Sequence, residues 1–380
     1  MIPELNIFKE IEEVKTIWES TISYPNGCLD FIETIIKKEK LMYRASIIKE
    51  QGISAKILIS DYIRHRLQGS SSIDRSVKFL YELKSNVYGK DAMYRLLKSP
   101  EPQWSLFLYR FTKGVMNTFE KEIQEVSDGY RSVIIDDTTI KKRGKKIEGV
   151  TYVHDHTTNK KELGYKLLTA SYHDGSTLYP LLYSIHSEGD EKLLSQGKSK
   201  IEVVMQWIRK LLSSKLPIDY FLFDSWYFTK QIAELLENRR KRNLNTAHFI
   251  TKAKVSMKME IEGKKWKIGK FIQAVRKKMK RSRQLHAQYY TDIGYIGRYK
   301  VRFFIVKFAG STKKQVLITS DCSLSFKEAC NLYSKRWATE VFYKEAKQLL
   351  RLRGLSEHFF CSSKCPYCYY ISIVFHSCSI

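Results

Sequence analysis

The chain has 380 residues, 43% of them hydrophobic, enough for a sizeable core and for two or three domains. Its 66 basic residues against 40 acidic ones leave a formal charge of +26, which points to a polyanionic partner, nucleic acid before an anionic membrane surface. No run of 18 apolar residues spans a bilayer and the N-terminus lacks a basic-then-apolar signal layout, so the expectation is a soluble, cytoplasmic, nucleoid-associated protein with no membrane partner.

Residues 1 to about 125 read as short lysine-rich helices. Ile7–Ser20 and Leu29–Lys49 carry apolar residues at three- and four-residue spacing. A polar break at Gly69–Ser76 offers Ser72 and Asp74 as helix starts, and Asp91–Lys98 is a basic helix stopped before Pro100. This fits a DNA-binding region of helix-turn-helix type and, equally, a plain helical scaffold.

The texture changes near Tyr130. Ser132–Ile140, SVIIDDTTI, is a β-branched run that delivers Asp136 and Asp137 near its end. Lys166–Tyr172 and Thr177–Ile185 flank an Asp174-Gly175 turn and predict a hairpin. Residues 200–214 predict an amphipathic helix ended by Leu216-Pro217. Asp219–Tyr227, DYFLFDSWY, repeats the first strand's pattern: an apolar run, Tyr220 to Phe223, ending in Asp224. Runs apolar at every position suit a two-sided parallel sheet, whose ligands gather outside the carboxyl ends of the strands.

From about 245 to 320, β-like pieces alternate with basic stretches. Residues 252–283 hold thirteen Lys or Arg and two acids, while Tyr299–Phe308 and Lys314–Ser320 predict strands. Trp266, Tyr289 and Tyr290, interleaved with the charges, suit either base stacking or a core. Ser325–Leu350 then reads as one helix opened by a Ser325/Glu328 capping box. At about 100° per residue, Tyr333, Arg336, Glu340 and Lys347 share a stripe roughly 60° wide. One tyrosine, two cations and a carboxylate on one stripe fit neither an apolar core face nor a scattered surface.

Three carboxylates, Asp137 (or Asp136), Asp224 and Glu340, with no evident His or Cys nucleophile, point to divalent metal chemistry. Hard oxygen donors suit Mg²⁺, with Mn²⁺ as substitute. Two such ions can activate an attacking hydroxyl and stabilise the leaving oxygen of a phosphodiester. Arg336 and Lys347 would then neutralise developing phosphate charge. The seven cysteines form no disulfide framework, and the spacing of Cys361, Cys365, Cys368 and Cys378 is not a two-pair zinc arrangement. No phosphate loop is present, so nucleotide hydrolysis is not supported.

Tyr333, Arg336, Glu340 and Lys347, separated by two, three and six residues, resemble the Y-R-E-K signature of bacterial insertion-sequence transposases of the IS-four family. The words YSKRWATEVFYKEAK, DDTT and FDSWYF agree, and the resemblance covers roughly residues 90 to 350. It implies an α/β fold: an RNase H-like catalytic core, a mixed sheet flanked by helices, with a β-rich insertion between the second Asp and the Glu. The expected division is 1–125 helical and DNA-binding, 126–244 the first part of the core, and 245–320 the basic insertion. Residues 321–352 carry the Glu340 helix, and 353–380 form an atypical tail. The resemblance makes Asp137, Asp224 and Glu340 the catalytic, metal-holding triad, with Tyr333, Arg336 and Lys347 toward DNA. Asp137 is preferred because it directly precedes Thr138-Thr139, but strand alternation sends only one of the pair inward, so Asp136 stays open. The implied activity is metal-dependent cleavage at transposon ends and strand transfer into target DNA by a homodimer on paired ends. The alternatives are a nuclease without strand transfer and an inactive DNA-binding remnant. After Lys347 the family's helical continuation gives way to a stretch rich in Cys, Ser and aromatics, which reads as a frameshifted or truncated end.

Overall fold

The structure is a computed structural model, and it describes residues 25–49, 51–67, 74, 88–99, 102–118, 129–145, 147, 149–155, 159–187, 197–241 and 247–348. The expected helix at Ile7–Ser20, most of the break at Gly69–Ser76 and the whole cysteine-rich tail lie outside those residues.

The N-terminal part is helical: α1 (Pro25–Lys38), α2 (Leu41–Arg44), α3 (Ala55–Leu67), α4 (Lys90–Lys98) and α5 (Trp104–Thr118). The single helical stretch expected over Leu29–Lys49 is split, with Lys40 in the left-handed region at φ 49° where α1 gives way to α2. Ile32, Ile35, Leu58 and Tyr62 bury the inner faces of α1 and α3. Helix α5 ties this bundle to the rest of the chain through Thr112, whose hydroxyl donates to the Pro180 carbonyl at 2.9 Å.

The sheet begins with β1 (Ser132–Lys141), β2 (Thr151–Asp155) and the hairpin β3 (Lys160–His173) and β4 (Leu178–His186). Asp174 shapes the hairpin turn: its Oδ1 accepts from the backbone N–H groups of Ser176 and Thr177 at 2.8 and 2.7 Å. Then come α6 (Lys200–Leu212), β5 (Tyr220–Phe223), α7 (Lys230–Lys241) and β6 (His248–Lys252). A reciprocal Ser199–Glu202 capping box opens α6. The basic region supplies β7 (Lys258–Ile261), β8 (Lys264–Lys267), α8 (Ile268–Ala274), β9 (Lys280–Ser282), β10 (Ala287–Ile296), β11 (Tyr299–Phe308) and β12 (Gln315–Thr319). Two helices, α9 (Phe326–Ser334) and α10 (Trp337–Gln348), complete the described chain.

Among the described residues, twelve strands join one mixed sheet in the order β2-β3-β1-β5-β6-β12-β11-β10-β7-β8, with β4 on β3 and β9 on β10. Strands β1, β5 and β6 run parallel at its centre, flanked by antiparallel β3 and β12. The central runs are apolar at every position because both faces are covered: Val133–Ile135, Tyr220–Phe223 and Phe249–Ile250 are all buried. Trp266 and Tyr290 pack edge-on against Phe271, and Tyr289 stacks on Phe326 at 4.0 Å, so these aromatics belong to the core reading. Among the described residues no helix is long and apolar enough to cross a membrane.

Gly164 permits the close pairing of β1 and β3. A Cβ there would lie 2.1 Å from the Ile140 carbonyl oxygen, a backbone contact that no rotamer relieves. Gly164→Ala is expected to lower stability by about 1–3 kcal/mol, seen as a lower urea midpoint with an unchanged m-value.

The expected single helix over Ser325–Leu350 is corrected by the structure. The Ser325–Glu328 capping box forms as anticipated, but the helix breaks at Lys335–Arg336. Hydrogen bonds there tighten to three-residue spacing, Arg336 N–H to Tyr333 O at 3.2 Å and Thr339 N–H to Arg336 O at 3.1 Å. The sequence around the break consists of good helix formers; tertiary contacts made by Lys335 and Arg336 override that propensity. Lys335 Nζ donates to the Tyr130 carbonyl at 2.9 Å, and Arg336 reaches strand β1.

Candidate active site

The register of the parallel strands pairs Ile135 with Phe223. Asp136 follows midway along β1 and Asp224 just past the end of β5, next to each other where the parallel pairing stops. Three side chains fasten α9 and α10 over β1 and β5. Tyr333 OH donates to the Phe223 carbonyl at 3.3 Å and Tyr343 OH to the Asp136 carbonyl at 2.9 Å. With its proton so used, the Tyr343 oxygen accepts from Thr169 at 2.5 Å. Lys347 Nζ donates to Thr138 Oγ1. The first two of these anchors grip backbone carbonyls, so they set the height of the helices above β1 and β5.

Beneath the helices lies a cavity of about 840 Å³. Its acids are Asp136, Asp137, Asp155, Asp224 and Glu340, and its cations include Lys166, Lys200, Arg336 and Lys347. Arg336 Nη1 donates to Asp136 Oδ2 at 2.6 Å, and Nη2 donates to Glu340 Oε1. One guanidinium thus joins a β1 carboxylate to the α10 carboxylate. Burial pushes the Asp136 acid up to about 7 against the pull of Arg336, with Asp137 and Asp224 adding to the rise. Burial works against the Arg336 charge as well, but Asp136, Tyr333 and Glu340 outweigh it and raise its pKa.

Asp137 has different company. Its Oδ2 accepts from Lys200 Nζ at 2.7 Å and from Tyr227 OH at 2.5 Å, and Lys166 Nζ lies 3.8 Å from Oδ1. Burial would raise its pKa, yet Lys200 and Lys166 prevail and hold it below the ordinary aspartate range. Burial and the same carboxylate drive the Tyr227 phenol well upward. The two adjacent aspartates are therefore electrostatically opposite: one is strained toward neutrality, the other is well compensated.

Among the described residues no three acidic, His or Cys side chains converge as a ready-made metal centre. The donor set nevertheless fits a hard divalent cation: Asp136, Asp224 and Glu340 offer only carboxylate oxygens to one cavity. Arg336 now supplies the positive charge between two of them. A buried carboxylate whose acid form is favoured by neighbouring acids is also one that a dication would ionise.

Of the residues singled out from the sequence, Asp136, Asp137, Asp224, Arg336, Glu340 and Lys347 all line this cavity. Tyr333 does not: it is buried, bonded to β5, with Lys252 Nζ 5.5 Å from its ring centroid. Its neighbourhood borders a second, smaller hollow that also touches Arg336 and the exposed Trp337. Sequence reasoning missed Lys166, Lys200, Tyr227 and Tyr343. Tyr227 stood within the FDSWYF word, but nothing in the sequence brings Lys166 or Lys200 to Asp137.

No curated protein matches the chain. Residues 75–255 match the family described as DDE superfamily endonuclease. That stretch holds Asp136, Asp137 and Asp224 and ends before the helix that carries Glu340. Similarity over these residues to DDE superfamily endonucleases, on a mixed α/β sheet that gathers its carboxylates in one cavity, supports a DDE transposase-type family and a transposase- or nuclease-type function.

Proposed function

We propose that the chain is a metal-dependent transposase of the insertion-sequence type, which cuts DNA at transposon ends and joins the freed 3′ hydroxyl to target DNA as a dimer on paired ends. In this reading the sheet is an RNase H-like core, residues 245–320 are its basic insertion and residues 1–125 its DNA-binding part. The carboxylate set is Asp136, Asp224 and Glu340. One observation carries the reading: Arg336 joins Asp136 to Glu340 in the cavity that Asp224 also lines. The same observation favours Asp136 over Asp137, the residue preferred on the family's motif, because Asp137 is already engaged by Lys200 and Tyr227.

Bound by these carboxylates, Mg²⁺ or Mn²⁺ would supply the charge that phosphodiester hydrolysis and transesterification require. The chain's own residues do the rest. Arg336 and Lys347 neutralise the phosphate, Tyr333 and Tyr343 hold α9 and α10 over β5 and β1, and the chain's net charge of +26 draws in the duplex.

The test is cleavage of duplexes bearing the element's own flanking ends, with Mg²⁺, with Mn²⁺ and with chelator, beside Glu340→Gln. Metal-dependent nicking at the element boundary, absent in the variant, is the expected result. Metal-independent or variant-insensitive nicking would end the proposal. The endonuclease description of the matching family favours a second reading, cleavage without joining. A strand-transfer assay on pre-cut ends separates the two.

A further inference from the structure

Asp137 remains unexplained by a site built on Asp136, Asp224 and Glu340. It is a partly buried carboxylate at the cavity wall, with a side chain 14% exposed, and it binds Lys200 and Tyr227 through one oxygen while Lys166 faces the other. To ligate a dication through Oδ2 it would have to release both hydrogen bonds, and through Oδ1 it would bring the ion beside the Lys166 ammonium group, which opposes it. What Asp137 does accomplish is to fix Lys200.

Lys200 opens helix α6 directly after the Ser199 cap, and its ammonium group is held from two sides. Asp137 Oδ2 lies at 2.7 Å, and the Trp226 ring centroid at 5.0 Å. Trp226 is 44% exposed and lines the same cavity, two residues after Asp224. The lysine is thus set at the cavity wall with most of its freedom already removed. With Lys166 and Lys200 against one carboxylate, this wall carries a net positive charge on the β3 and α6 side, away from the Arg336 and Lys347 supplied by α10's end of the site.

We infer that Lys200 is a phosphate-binding residue for the DNA phosphodiester, and that Asp137 is a positioning residue that presents it rather than a metal ligand. This deepens the proposed function and rests on its choice of Asp136. Lys200 contacts a non-bridging phosphate oxygen, while Asp137 and the Trp226 ring hold its ammonium group at the cavity wall and Tyr227 braces Asp137. Preorganisation of this kind lowers the ordering cost of binding a flexible lysine to substrate.

The experiment uses the full chain and two readouts, neither of which requires turnover. The first is Mn²⁺ binding by calorimetry to wild type, Asp136→Asn and Asp137→Asn. The second is the salt dependence of affinity for a duplex of fixed sequence, for wild type, Lys200→Met and Lys200→Arg. Asp137→Asn is expected to retain Mn²⁺ binding while Asp136→Asn loses it. Lys200→Met is expected to reduce the slope of log affinity against log salt by about 1, the signature of one lost phosphate contact, and Lys200→Arg should restore it. Loss of Mn²⁺ binding in Asp137→Asn alone would make Asp137 the ligand and overturn the inference. An unchanged slope in Lys200→Met would overturn it from the other side, and that variant leaves the Asp137 carboxylate in place should Asp137→Asn fail to fold. Because neither readout is cleavage, an inactive wild type would refute the transposase reading while leaving the Lys200 result to be judged by itself.

Discussion

Asp136→Asn is expected to cut metal-dependent cleavage about a thousandfold or more while DNA affinity changes by no more than a small factor. A metal ion contributes several kcal/mol of transition-state stabilisation, and three decades of rate correspond to about 4 kcal/mol. Asparagine keeps the shape of the side chain, and Nδ2 has no charge with which to hold a dication. Binding should survive because it draws on the basic surface, with 66 Lys and Arg in the chain. The substitution even removes a negative charge from the cavity. Single-turnover nicking in Mg²⁺ and in Mn²⁺, beside a gel-shift titration at fixed salt, checks both halves. Cleavage within about tenfold of the parent would exclude Asp136 from the carboxylate set. A parallel loss of affinity and rate would instead mean that β1 had lost its hold on α10, since Arg336, just ahead of α10, docks against the Asp136 side chain.

The contrast between Asp136 and Asp137 marks where sequence reasoning reaches its limit. The strands were legible because apolar β-branched and aromatic runs ending in carboxylates admit few other readings: Ser132–Ile140 and Tyr220–Phe223 are strands in the structure, within a residue of the expected ends. The hairpin across Asp174-Gly175 and the capping box at Ser325 were legible for a similar reason, because each is decided by residues within four positions of one another. Which aspartate turns toward α10 is decided at long range. Alternation says that the two point opposite ways, but the choice depends on where Arg336 and Glu340 arrive from the far end of the chain. The break at Lys335–Arg336 escaped notice for the same reason. Its local sequence is helical by every propensity, and contacts with Tyr130 and Asp136 tighten it. The wheel that grouped Tyr333, Arg336, Glu340 and Lys347 assumed an unbroken helix. Arg336, Glu340 and Lys347 reach the cavity, whereas Tyr333, on the other side of the break, is buried against β5. Lys200 had no local signal at all, for a lysine after a serine cap is ordinary on any helix.

Arg336→Ala should act in two directions at once. Without metal it leaves Asp136 and Glu340 short of their shared cation, and breaking a buried pair by removing one partner typically costs about 3–5 kcal/mol. Asp136, already pushed up to about 7 by burial, escapes part of that penalty by taking a proton, so a loss near the lower end, about 3 kcal/mol, is expected. The same change vacates the space and charge between two carboxylates that suit a divalent ion. Mn²⁺ should therefore stabilise the variant more than the parent, by up to about 2.7 kcal/mol at a hundredfold excess over its dissociation constant. Cleavage should still fall, by about a hundredfold to a thousandfold, because no preorganised donor then meets the charge that develops on the phosphate. Urea unfolding with and without Mn²⁺, run on both proteins, separates these effects from each other. Equal Mn²⁺ stabilisation of parent and variant would mean that the guanidinium and the ion do not share a site. If the unequal shift is found, Arg336 serves the free protein as an internal counter-ion for Asp136 and Glu340, and a phosphate that draws it away leaves those carboxylates open to metal. Metal affinity measured with a non-cleavable duplex bound should then exceed that of the free parent and approach that of Arg336→Ala.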